Sequence, residues 1–565
     1  MVALVVLRDP PWMALHDLAQ VELRVRDVAS AHPPQVGLGG RFEGYGATGS
    51  HPGPISFYLL WPVYTLLGGT GWALQASAAF LSAVAAGLAV WVAHRRGGVP
   101  LALATTAVFA VLARGYGAEV LTSAWNPHMP VAWWWLLLLA VWSLLVGDLV
   151  VAPVAVVAAL VCVETHIPYA APVAALGALT VAVLAARAWR GDLDRGRLLR
   201  WGGAAVALGL VLAAPPLVEE VTHDPGNLSI LVENFRHPYD EQVSTAEAVD
   251  TWLEHLDVFA LLRQDTNDVD STFDHALDLR RRWPGLALLA VWGAAAVVAW
   301  RRRAERPELL ALHLVAAVAA GATLVATSRI FGPLWPYLVL SAWGTTALIV
   351  LAVLATLVPP DWRPLPALAA VAGVAVLAFA VDGAFTTTDD EDLAAGMVRL
   401  SDATGDALAD DPAGCSDDGD GRDGCRYAIR FTDPVHIVSP VFGLLLDLEK
   451  QGYDVRAEPG RAVSVRAHRT ADPATADGVL HLAVTEEVID ALAGRPGTEL
   501  LAQVDPPGDE PPVAVFLTTR DADDTDDTDH TDGDAGTPAE DDVDVEVEDD
   551  VEDGVSAAGA RSAGG

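Results

Sequence analysis

Residues 130–187 read PVAWWWLLLLAVWSLLVGDLVVAPVAVVAALVCVETHIPYAAPVAALGALTVAVLAAR. Within them only Asp148, Glu164 and Arg187 are charged. A helix that crosses a bilayer needs about 20 mainly apolar residues. The stretch offers three apolar runs near that length in succession, parted by Gly147-Asp148 and by Glu164-Thr165-His166-Ile167-Pro168. In lipid each backbone N–H and C=O must find its partner inside the chain, which makes such runs helical. The expected fold is therefore mainly α, a polytopic transmembrane helical bundle.

The same pattern continues on both sides. Spans are expected near 72–93, 99–114, 130–147, 149–164, 168–187, 202–218, 283–300, 308–327, 334–358 and 364–382. Trp72, Trp91, Trp283, Trp300 and Trp335 sit at span ends, where an interfacial belt requires them. Three short basic loops, at Arg95-Arg96, between Arg187 and Arg200, and at Arg301 to Arg306, fall on one side of this topology. The excess of positive charge makes that side cytoplasmic. The outer side then receives residues 8–71, 115–129, 164–168, 219–282 and everything after 383. The apolar segment Met1–Leu7 is too short to span, yet the topology calls for a span before residue 8. The expectation is a truncated first helix whose beginning lies upstream of Met1, for about 10 or 11 spans in all.

The composition fits a segregated chain. Its 565 residues carry 35 Lys+Arg against 73 Asp+Glu, a net charge of −38, while 52% of residues are hydrophobic. Mean hydropathy is +0.34. An acidic chain of this kind lacks the basic footprint of a nucleic-acid binder. Residues 1–382 form the apolar body. Residues 383–424 read as an acidic, Gly-rich linker with a Cys loop. Residues 425–519 alternate strand-like runs (Tyr427–Phe431, Val463–Ala467, Val479–Val484, Val513–Leu517) with helical ones (436–451 and 485–494), as in a small α/β domain. Residues 520–565 are a low-complexity acidic tail, expected to be disordered. Of the three cysteines, Cys162 lies in an apolar run, and Cys415 and Cys425 flank a polar loop where an oxidising compartment would join them as a disulfide.

The polar chemistry gathers in the outer segments. His16 to Val28 reads as a helix carrying Asp17, Glu22 and Arg24. Glu22 could pair with Arg26, and Arg24 with Asp27, in an interfacial helix. Alternatively, a carboxylate beside the membrane acts as general base and an Arg binds phosphate. A Gly-rich loop follows (Gly39, Gly40, Arg41, Gly44, Gly46, Gly49), then His51-Pro52-Gly53-Pro54 and a short aromatic helix from Ile55 to Tyr64 that suits the interface.

An acidic residue after a first span, a long outer loop, a His-Pro-x-Pro element opening an aromatic helix and a many-span body together resemble the GT-C superfamily. These are integral-membrane glycosyltransferases; the nearest resemblance is to the family 39/83-like group, with the protein mannosyltransferases and lipid A aminoarabinose transferases. Trp125-Asn126-Pro127, Glu164-Thr165-His166, Gly226-Asn227-Leu228 and the stretch from Arg329 to Tyr337 occupy similar places. The likeness covers roughly residues 8–382. It implies transfer of a sugar from a polyprenyl-phosphate-linked donor to an extracytoplasmic glycan, lipid or protein acceptor, with inversion, by a multi-pass cell-membrane enzyme in contact with the lipid bilayer. Asp17 matches the family's catalytic carboxylate by position, with Glu22 as second choice. Many members carry adjacent Asp-Glu there; this chain has Asp17-Leu18. A divalent metal is compatible with the resemblance but not required by it. Arg24 and Arg329 are candidates for the phosphate, the latter alternatively a headgroup anchor. His51 either meets the sugar or phosphate or caps a Pro-started helix. Asn126 either orients substrate or caps the helix before Pro127. Glu164 and His166 either line the cavity or form an interfacial pair. A lipid-linked-sugar flippase and a non-catalytic assembly protein are the alternatives from other functional classes.

Overall fold

The computed structural model describes residues 2–9, 12–238, 240–259, 282–358, 365–386, 391–410, 413, 425–431, 440–508 and 511–519. A single helical run, Gly71–Tyr116, contains the first two expected spans. It breaks at Gly97 and Gly98, where φ +64° and ψ −156° at Gly98 describe a backbone that glycine adopts without a Cβ clash. Helices follow at Pro130–Leu145, Ala152–Thr165, Ala170–Arg190, Gly203–Leu212, Arg282–Arg301, Pro307–Thr327, Ser341–Leu357 and Leu365–Asp382. Each expected span therefore has its helix, with one modification: the sixth is a pair, Arg195–Leu212 and Ala214–Thr222, bent by 47°.

Among the described residues, six helices are long and apolar enough to cross a membrane, or seven when the bent pair counts as one span. This is a multi-pass membrane protein. Pro130–Leu145 is shorter because it is central: all of its residues are buried, so protein rather than lipid surrounds its ends. Ion pairs tie helix ends at each face of the bundle. Arg95 reaches Asp148 at 2.8 Å and Arg96 reaches it at 3.3 Å, while Arg114 meets Asp382 at 2.8 Å.

Four elements precede the first long helix: α1 (Val2–Val6), α2 (His16–Asp27), a hairpin of β1 (Gly39–Gly44) and β2 (Ala47–Ser50), and α3 (Ile55–Leu66). The hairpin lies in what reads from sequence as a flexible Gly-rich loop. The C-terminal lobe is a five-stranded mixed sheet of β3 (Arg426–Phe431), β4 (Asp454–Ala457), β5 (Gly478–Val484), β6 (Thr498–Val504) and β7 (Val513–Thr519), in the order β4-β3-β5-β7-β6. β3 runs parallel to β4 and β5, whereas β7 is antiparallel to β5 and β6. Helix Val441–Gln451 covers one face and Glu486–Ala493 the other.

Two sequence expectations need correction here. The stretch 383–424 is not only linker, because Glu391–Ala409 is a helix that buries Ala394, Met397, Leu400 and Leu408 in the lobe's core. Its acidic side chains occupy the outer face, and that charge masks a 3.6-residue apolar period. Val463–Ala467 is not a strand but a helical turn ending at Arg466. Cys425 is buried at the start of β3 and is disulfide-bonded; Cys415 lies outside the described residues, as does the tail 520–565.

Candidate active site

α2 joins the two cores. At about 100° per residue, Val21 and Val25 fall on one face and pack into the bundle, whereas Ala19 and Leu23 fall on another and pack into the C-terminal lobe. The same geometry puts Asp17, Gln20 and Arg24 along one edge and Glu22 on the opposite edge.

Asp17 is half-buried on the first edge. Its Oδ2 accepts from Trp125 Nε1 at 2.9 Å and its Oδ1 from Gln20 Nε2 at 3.1 Å. Burial holds its carboxyl above the ordinary range, against the opposing pull of the Trp125 bond and the His16 charge. The Trp125 ring lies 5.0 Å from that of Tyr337. The Arg41 guanidinium is near the Tyr337 hydroxyl, which also feels the Asp17 charge. A carboxylate, a cation and two aromatic rings thus meet from four segments of chain. Arg41 is exposed and available to an anion. Its place beside Asp17 was missed in the sequence because nothing local distinguishes it within a Gly-rich run. The one sequence signal is that Arg41 and Trp125 lie in segments expected on the outer side, with Tyr337 at the start of the span expected at 334–358.

The hairpin carrying Arg41 is fixed from a distance. Asn227 Oδ1 accepts from the Ser50 N–H at 2.8 Å, its Nδ2 donates to the Ser50 carbonyl at 3.1 Å, and Asn234 Oδ1 accepts from the Glu43 N–H at 3.0 Å. Glu219 and Glu220 in turn accept from the Asn227 and Leu228 N–H groups at the start of that helix. Asn227→Ala leaves a buried N–H and C=O unpaired, at about 1–3 kcal/mol. Amide exchange in β1 and β2 should rise roughly tenfold or more, with exchange in the spans unchanged.

Glu22 is not with Asp17. It is 0% exposed, its Oε1 lies 2.5 Å from Lys450 Nζ, and it accepts from the Tyr64 hydroxyl at 2.7 Å. Lys450 is the chain's single lysine. The expected Glu22–Arg26 and Arg24–Asp27 pairings are replaced by partners in the lobe. Arg26 approaches Glu449 at 3.4 Å, and Asp27 pairs with Arg469 at 2.8 Å and His468 at 3.4 Å. Arg24 donates through Nη2 to the Val463 carbonyl at 2.5 Å.

His51, Glu164 and His166 come together, but not at Asp17. His51 Nδ1 accepts from the Ile167 N–H at 3.3 Å, and its ring lies 5.2 Å from that of His166. Burial pulls His51 down to about 3, so the ring is neutral. The Glu164 carbonyl accepts from the Gly53 N–H at 3.0 Å, and a Cβ added at Gly53 would stand 2.4 Å from Glu164 Oε2. This polar knot fastens the start of α3 to the span ends. His128 connects it to the site, with its ring 4.9 Å from that of Trp125. Asn126 is buried in a turn and is not the cap, since the helix starts at Pro130 behind Met129. Arg329 is exposed on the turn after Pro307–Thr327. Among the described residues no group of three or more His, Cys, Asp or Glu side chains is placed to hold a metal ion.

No family model and no curated protein matches the sequence. Two solved structures match the fold. ArnT from Cupriavidus metallidurans in the apo state is 14% identical, with 92% of this chain and 96% of that one covered and a TM-score of 0.50. The same ArnT bound to undecaprenyl phosphate is 13% identical, with 91% and 96% covered and a TM-score of 0.54. At this identity the likeness is one of architecture: the chain has the fold of the ArnT structures.

Proposed function

We propose that the protein is a membrane glycosyltransferase that moves a sugar from a polyprenyl-phosphate-linked donor to an acceptor on the extracytoplasmic side. The observation that carries this reading is the pairing of a half-buried carboxylate, Asp17, with an exposed Arg41 across Trp125 and Tyr337. It stands on a fold in which ArnT has been solved with undecaprenyl phosphate bound.

In this reading Asp17 accepts the proton of an acceptor hydroxyl. The freed oxygen attacks the anomeric carbon from the face opposite the phosphate. The bond from that carbon to the phosphate oxygen breaks with its electron pair, and the sugar is inverted. Arg41 balances the charge that grows on the departing phosphate, an effect that counts most where water is excluded. Trp125 holds the carboxylate in place, and its N–H stabilises the charged form that the reaction needs. The acceptor is a cell-envelope glycan, lipid or protein, and donor choice rests on the shape of the site.

Arg41→Gln should weaken donor binding and lower transfer by about ten- to a hundredfold, the scale of a charge-assisted contact. Arg41→Lys should recover part of the loss. Sugar transfer in membranes from a panel of labelled polyprenyl-phosphate pentoses and hexoses measures this, and an unaffected Arg41→Gln enzyme would remove Arg41 from the donor site.

A further inference from the structure

The seam where α2 meets the lobe contains positive charge that the fold does not neutralise. Four arginines converge there: Arg24 and Arg26 from α2, Arg466 and Arg469 from the lobe. The nearby acids are already engaged. Asp27 is 1% exposed and takes Arg469 and His468. Glu449 takes Arg469 at 2.6 Å and Arg26 at 3.4 Å. Arg24 and Arg466 are left over. Arg24 is 3% exposed, and its Nε is buried without a hydrogen-bond partner. Burial, and then the Arg466 charge, pull Arg24 down to about 9, with Asp27 opposing. Asp27, already paired with Arg469 and His468, is the acid whose charge both Arg24 and Arg466 feel, and half-buried or buried guanidinium groups that share one engaged acid are costly to hold.

Arg466 adds a second observation. It sits at φ +76° and ψ 148°, a region in which a side chain is strained and which persists only where the surroundings impose it. Its guanidinium is half-buried and feels the charges of Asp27, Arg469, Tyr58 and Arg24, with no ion pair or hydrogen bond of its own among the described residues. A glycine would meet the backbone requirement without strain. The arginine therefore presents a cation at a backbone cost in a chain of net charge −38.

Arg24 shares its edge of α2 with Asp17 and lies seven residues on, which is about 10 Å along the axis. The Val463 carbonyl that accepts from Arg24 belongs to the residue whose side chain packs on Gly39, two residues before Arg41 on β1. The seam and the Asp17 site are thus linked twice, along one edge of α2 and through Val463 to the strand that carries Arg41. We propose that Arg24 and Arg466 form a second anion site, distinct from Arg41, that holds a phosphate or other anionic group of the acceptor about 10 Å from the base. The C-terminal lobe would then be half of the acceptor site. This inference rests on the reading of Asp17 and Arg41 as the transfer site, and it names the chemistry of the acceptor.

The test uses the full chain in lipid nanodiscs with two probes: inorganic pyrophosphate for the seam and a polyprenyl phosphate for the donor site. Arg466→Gly relieves the backbone and removes the guanidinium together with its alkyl stem; Arg24→Gln, which keeps part of the stem, is its companion. Both should weaken pyrophosphate binding on the order of tenfold or more, with polyprenyl-phosphate binding held within about twofold. Arg41→Gln should do the reverse. Equal loss of polyprenyl-phosphate binding in Arg466→Gly would assign the seam to the donor and overturn the proposal. Unchanged pyrophosphate binding in both variants would also overturn it, leaving these residues a purely structural role. Failure of the transfer reading would appear separately, as polyprenyl-phosphate binding that Arg41→Gln leaves intact.

Discussion

Asp17→Asn is expected to reduce sugar transfer by about a hundredfold or more, the contribution of a positioned general base, while the protein folds normally. The substitution keeps the shape of the side chain and an oxygen to accept from Trp125 Nε1, now 2.9 Å from Oδ2. It removes only the capacity to take a proton. The pH profile gives a second signature. In the proposed reaction transfer needs the deprotonated carboxylate, so the rate should rise with pH through the Asp17 pKa and level off above it. Burial raises that pKa above the ordinary 3.8, so the acid limb falls at higher pH than for an exposed aspartate. The Trp125 bond favours the charged form and holds the pKa down. Trp125→Phe should therefore move the acid limb further up. A limb unmoved in Trp125→Phe, with the rate changed, would reduce Trp125 to packing.

The second large effect is on stability and lies at the opposite edge of α2. Lys450→Met should destabilise the docking of the C-terminal lobe by about 3–5 kcal/mol, because it leaves the fully buried Glu22 without its cation. Tyr64 still donates to Glu22 at 2.7 Å, but its hydroxyl is shared with the Gly69 carbonyl at 2.8 Å and cannot compensate. At about 1.4 kcal/mol per factor of ten, amide protection in α2 and in Val441–Gln451 should fall by roughly two to three and a half powers of ten. Glu22→Gln added to Lys450→Met removes the stranded charge and should restore more than half of the loss. Equal protection in the single and double variants would mean that the pair contributes packing rather than charge. The two experiments also separate the acids: Asp17→Asn should leave protection unchanged, and Glu22→Gln should leave the pH profile unchanged.

The bundle was legible because a membrane permits so few structures. Once residues 130–187 read as consecutive apolar runs, backbone hydrogen bonding dictated helices, and the basic loops ordered them. The break at Gly97-Gly98 was visible in the same way, as was the helix carrying Asp17. What was not legible is pairing over long sequence distance. Glu22, Arg24, Arg26 and Asp27 have complementary neighbours three or four residues away, and local rules join them to each other. In the folded chain three of them reach Lys450, Glu449 and Arg469, and Arg24 reaches the Val463 carbonyl, because the lobe covers that helix. Arg41 was hidden for a related reason, since its hairpin is held by Asn227 and Asn234 some 180 residues later. The helix at Glu391–Ala409 was obscured by composition: its acids dominate the average while its apolar stripe sets its place.

The most direct measurement follows one molecule of labelled donor. Membranes containing the full chain are given a panel of polyprenyl-phosphate sugars labelled in the sugar, and both the label and the lipid are tracked. For a transferase, label should leave the lipid pool for an acceptor as free polyprenyl phosphate appears in equal amount, and both changes should be lost in Asp17→Asn. Intact donor that crosses the bilayer with its sugar still attached, at the same rate in Asp17→Asn, would contradict this and make the protein a transporter of the lipid-linked sugar.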